Sequence, residues 1–61
     1  MDAQEFSAAR WDLRMSQTAL ARHLRVHLST VNKWEKGLRR IPQPVADAMR
    51  AMLAERQKAT A

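Results

Sequence analysis

Between Gln17 and Lys36, two short segments with helical periodicity are separated by three residues that fit neither. No other feature limits the fold of this chain so strongly. The first segment, about 17–24, turns Leu20, Ala21 and Leu24 to one face. Ser16 precedes it, and a serine hydroxyl at that position accepts from the free amides of the first turn. Arg25-Val26-His27 breaks the period. The second segment, about 28–36, brings Val31 and Trp34 together, and Gly37 follows as a left-handed residue that ends a helix. Helices this short are stable only when packed. Alanine at 21 lets two helices cross closely, where a larger side chain would force them apart. Val26 gives the break an apolar residue, which suits a turn that packs into the core.

A pair of helices so joined is a helix-turn-helix. Its flanks read as helices too. In about 3–13, Phe6, Ala9 and Leu13 share a face, Arg10 borders it and Trp11 points away. Pro42 and Pro44 bracket the start of a last helix, about 43–57, since proline is tolerated at a first turn. Val45, Ala48, Met49 and Met52 share its face, with Leu53 at the edge. No apolar/polar alternation marks a strand. Residues 58–61 lack apolar anchors and are expected to fray. The expectation is a single all-α domain over 1–57. With 61 residues and no cysteine, its core must close on apolar contacts, helped by a partner copy.

Charge narrows the function. Seven basic residues between Arg14 and Arg40 face Glu35 alone, a net +6 within a chain of net +5. Such a stretch attracts nucleic acid or an acidic membrane, and also suits a solvated basic surface. No apolar run approaches the roughly 20 residues that span a bilayer. The last helix sets Arg50, Arg56 and Lys58 against Asp47 and Glu55, too balanced for a membrane surface. The acidic, polar start is unlike a signal peptide, so a soluble cytoplasmic protein is expected. His23 and His27 have zinc-ligand spacing, but the break lies between them and no glutamate follows His23. Asp2, Glu5 and Asp12 lie on a solvated helix, and the methionines read as core filler. Neither metal, cofactor, small-molecule ligand nor catalysis is expected.

Projected at about 100° per residue, the second central helix buries Val31 and Trp34 and presents Ser29, Asn32, Lys33 and Lys36 opposite, with Leu28 between. Asparagine can pair bidentately with adenine, lysine donates to guanine, serine serves either, and leucine meets a thymine methyl. The face therefore suits the major groove.

Residues 6–42 resemble the Cro/C1-type (XRE-like) helix-turn-helix family of phage and bacterial repressors. The resemblance is carried by Arg10, Leu13-Arg14-Met15-Ser16-Gln17, Leu20-Ala21, Leu24, Val26, Ser29-Thr30-Val31 and Trp34-Glu35-Lys36-Gly37. It implies a lambda-repressor-like domain of four or five helices. It implies that Leu28, Ser29, Asn32 and Lys33 face bases. Gln17 and Thr18, His27, Lys36, Arg39 and Arg40 would touch phosphates, and Arg10 and Glu35 would form a structural ion pair. The family usually has glycine where Arg14 and Arg25 stand. Either the backbone differs there or arginine accepts the left-handed conformation and adds phosphate contacts. His27 replaces the usual capping Ser, Thr or Asp. The resemblance further implies a homodimeric repressor on an inverted-repeat operator, its half-sites roughly 34 Å apart. Trp11, Ala46, Arg50 and Leu53, outside the expected core faces, are candidates for the dimer contact. Family members include phage lysis–lysogeny regulators, restriction–modification controllers, antitoxins and anti-CRISPR-associated autorepressors. The residues after Ile41-Pro42, with Val45, Met49 and Met52-Leu53, resemble the last group. The alternative is an antitoxin whose main task is to bind a toxin protein.

Overall fold

The computed structural model describes residues 1–60, with side chains through 58. Among them are four helices and no strand: α1 (Ala3–Asp12), α2 (Gln17–Leu24), α3 (Leu28–Glu35) and α4 (Gln43–Thr60). Three of the four starts have a local cause in their own side chains. The Asp2 carboxylate accepts from the Glu5 amide at 2.7 Å, and the Ser16 hydroxyl accepts from the Ala19 amide at 3.0 Å. His27 caps α3 with no side-chain hydrogen bond, as its chemistry led one to expect. Val45 and Ala46 donate to the Pro42 carbonyl, so Pro44 falls in the first turn of α4, where it has no helical bond to give up.

The first three helices end alike. The Arg14 amide donates to the Trp11 carbonyl and the Met15 amide to Arg10. After α2 the bonds run from Arg25 to Arg22 and from Val26 to Ala21; after α3, from Gly37 to Trp34 and from Leu38 to Lys33. This paired closure requires one left-handed residue. Here φ is +55° at Arg14, +58° at Arg25 and +74° at Gly37. Arginine thus adopts the backbone that the family resemblance assigns to glycine.

Phe6, Ala9, Leu20, Ala21, Val31, Trp34 and Met49 form the core, and Leu13, Leu24, Val26 and Val45 pack against it. The Phe6 and Trp34 rings meet edge-on, centroids 5.7 Å apart and planes at 70°. α2, with Ala21 buried, packs on α3, while α1 bridges α3 and α4.

α4 departs from expectation in two ways. Val45, Met49 and Met52 pack inward as expected, but the buried face is wider: it takes in Ala46, which is 1% exposed, and Leu53, while Ala48 is only half-buried. Residues 46, 49 and 53 keep helical spacing as well as 45, 49 and 52 do. The helix is also longer than expected, running to Thr60 and not ending near Gln57. The Arg56 guanidinium donates to the Asp12 carbonyl at the end of α1. Residue 61 of the expected tail lies outside the described residues.

Candidate nucleic-acid interface

α3 is anchored from behind by Val31, fully buried, and Trp34. Its other side is open. Leu28, Ser29, Lys33 and Lys36 are exposed and Asn32 is half-buried. Ser29, Asn32, Lys33 and Lys36 share a shallow cleft of about 270 Å³ with Leu38. Three of the four base-facing candidates thus lie together, and Leu28 lines a separate, larger cleft at the N-terminal end of α3. Leu38, 71% exposed, is an apolar rim that sequence reasoning did not single out. The first turns of α2 and α3 carry no acidic residue that would repel an anion.

One carboxylate links α3 to both α1 and α2. Glu35 accepts from Arg10 Nε at 2.9 Å and from Arg10 Nη2 at 3.1 Å, from the Ser7 hydroxyl at 2.8 Å and from Gln17 Nε2 at 3.0 Å. The remaining guanidinium nitrogen of Arg10 donates to the Met15 carbonyl at 3.0 Å. The Arg10 and Glu35 side chains are only 10% and 9% exposed. Burial alone would raise the Glu35 pKa. The hydrogen bonds from Arg10, Ser7 and Gln17, with the Arg10 charge, outweigh it and hold the carboxyl below its ordinary value of 4.5. The ion pair expected from the resemblance is present, and it is wider than expected. Ser7 stands three residues before Arg10 on the same helix face, a spacing that signals a shared partner. Gln17, assigned to phosphate, instead spends one of its amide hydrogens on Glu35.

A family model described as helix-turn-helix matches residues 8–54. The chain belongs to the Cro/C1-type helix-turn-helix family. Neither a curated protein nor a solved structure gives a significant match. The family is one of DNA-binding transcription regulators, not of enzymes.

On this helix-turn-helix regulator the remaining candidates fall into separate groups. Arg14 and Thr18 line the larger cleft beside α2. Arg39 and Arg40 are exposed in the loop after Gly37, in a recess near Asp2 and Trp34. Arg25 and His27 are exposed at the turn itself. Two of the residues considered for the dimer are taken up by the chain's own packing. Ala46 is buried within the single chain and Leu53 packs on its core, because the inward face of α4 is wider than expected. Trp11, 70% exposed, lies by the first turn of α2, and Arg50 is exposed on α4. Among the described residues no group of His, Cys, Asp and Glu has metal-binding geometry, and no helix is long and apolar enough to cross a membrane.

Proposed function

We propose that this regulator is a homodimeric repressor of its own operon, reading an inverted repeat through the major groove. The observation that carries the reading is the open face of α3. Ser29, Asn32, Lys33 and Lys36 stand side by side on a helix whose opposite side is locked by Val31 and Trp34. Asn32 and Lys33 offer the donors and acceptors that distinguish bases, while Leu28 offers an apolar contact for a thymine methyl. Arg39, Arg40, Lys36, Arg25 and His27 supply sequence-blind contacts to phosphates. Gln17 has a second amide hydrogen for the same purpose, and Thr18 its hydroxyl.

One such helix covers about 4–5 base pairs, too few to specify a site, so two copies on a two-fold operator follow. The outer side of α4, where Arg50 is exposed beside Asp47, is the surface left for their contact. The likeness of the α4 residues to anti-CRISPR-associated autorepressors supports a phage or anti-CRISPR operon as the setting.

Selection of bound sequences from a random duplex pool tests the reading. The expected outcome is an inverted repeat with half-site centres about 10 base pairs apart, occupied by two chains in sedimentation. Asn32→Ala or Lys33→Ala should each relax the preference at one position of the half-site and cost about 1–3 kcal/mol there. A pool that yields no consensus, or an Asn32→Ala loss equal on selected and random duplexes, overturns base reading by α3.

A further inference from the structure

Among the described residues Leu38 is a large apolar side chain left in the open, 71% exposed just after α3. Single apolar side chains are ordinary on a surface. The place of this one is what matters. It shares the cleft of about 270 Å³ with Ser29, Asn32, Lys33 and Lys36, and no acidic residue lines that cleft. Its backbone is held there. The Leu38 amide donates to the Lys33 carbonyl at 2.9 Å, and the Gly37 amide to the Trp34 carbonyl at 3.2 Å. Left-handed Gly37 closes α3 in this way and sets Leu38 back against the last turn of the helix. On its other side Leu38 lines the recess that holds Arg39 and Arg40. It therefore stands between side chains suited to base edges and side chains suited to phosphates.

A thymine methyl occupies the corresponding place on a duplex. It is the apolar group that a base pair presents in the major groove. It is carried on C5, between the O4 acceptor and the strand's own backbone, where cytosine has only a hydrogen. Asn32, Lys33 and Lys36 recognise by hydrogen bonds and charge, so a methyl gives them nothing to hold. Leu38 is the apolar side chain of their cleft. Leu28 opens α3 and Leu38 follows its close, so the two leucines bracket the polar readers. The eight residues of α3 span about 12 Å, which exceeds three base-pair steps of about 3.4 Å. The two leucines therefore meet different base pairs.

We propose that Leu38 reads a thymine methyl at the end of the half-site opposite the one met by Leu28. A residue outside the reading helix then adds one base pair to the specificity of the site. The inference rests on the reading of α3 proposed above.

Deoxyuridine isolates the methyl, because it keeps every hydrogen-bonding group of thymidine and lacks only that carbon. Thymines of the selected duplex are replaced by uracil one at a time, and affinity is followed by the anisotropy of labelled DNA. A methyl-sized group in an enclosed apolar pocket is worth about tenfold or more, and in this open cleft a loss of about three- to tenfold is expected. The wild type should show it at two positions of each half-site, one at each end. Leu38→Ala should bind the thymine duplex as weakly as the wild type binds the uracil duplex, and should no longer distinguish the two at its own end. The position met by Leu28 should stay sensitive. Helicity should be unchanged, since Leu38 is exposed. A selected half-site with no thymine at that end, or equal wild-type binding to both duplexes there, overturns this inference alone. So does a Leu38→Ala loss that leaves the discrimination intact, which assigns the side chain to the backbone or, where self-association in sedimentation also weakens, to a second copy. A pool that yields no consensus overturns the reading of α3 and this inference together.

Discussion

Replacing Glu35 by alanine should cost more stability than any surface change in this domain. The substitution removes the acceptor of four hydrogen bonds, from Arg10, Ser7 and Gln17. Arg10, 8% exposed, would keep only its bond to the Met15 carbonyl. Stranding one member of a buried ion pair costs about 3–5 kcal/mol. At about 0.05–0.15 kcal/mol per residue, a chain of 61 residues has a total of roughly 3–9 kcal/mol to lose. The variant should therefore melt at least about 12 °C lower, or be largely unfolded at 25 °C. Thermal and urea unfolding followed by circular dichroism measure this. A double variant separates the charge penalty from packing. Arg10→Met with Glu35→Leu removes both charges, and apolar replacement of a buried pair is often neutral or stabilising. It should recover much of the stability that Glu35→Ala loses. If Glu35→Ala cost under about 1 kcal/mol, the pair would be behaving as a solvent-exposed one, and the argument from burial would fail.

The same carboxylate sets an acid limb. Its folded pKa lies below 4.5 and its unfolded value near 4.5, so its contribution is full above pH 4.5 and is lost as pH falls through the folded value. Stability measured between pH 7 and pH 3 should decline at the acid end in the wild type and less so in Glu35→Gln. Arg14→Gly and Arg25→Gly should each raise the melting temperature while weakening DNA binding. Relief of left-handed strain, about 1–2 kcal/mol, exceeds the added freedom of an unfolded glycine, about 0.4–1 kcal/mol; lower melting temperatures would refute the strain. Trp34→Ala should cost about 3–5 kcal/mol, read by urea unfolding; an unchanged midpoint would contradict its burial against Phe6.

Local signals made most of this fold legible. Ser16, Gly37 and the proline pair act on their own neighbours, and they mark the helix ends to within a residue or so. Val31 and Trp34 were legible because they are the large apolar side chains of a short helix, apart from Leu28. α4 was harder for a physical reason. Its alanines are nearly neutral toward burial, so 45, 48, 49 and 52 describe a face as well as 46, 49 and 53 do. The choice falls to packing against the rest of the fold, which sequence spacing does not encode. The site divides the same way. The face of α3 follows from helical geometry alone, whereas the bond from Gln17 to Glu35 joins two helices and appears only once they are placed. Trp11 looked like spare apolar surface until the turn after Leu13 brought it beside α2.

The meeting of α1, α2 and α3 at one carboxylate has a consequence for the energetics of recognition. The surface offered to DNA has its shape before DNA arrives, so association orders little of the chain. The heat capacity change on binding should then match the area covered, without the excess that accompanies coupled folding. It also means that affinity can be tuned from Ser7, which need never approach a base. A change in its grip on Glu35 would act on α3, the helix proposed to read the groove.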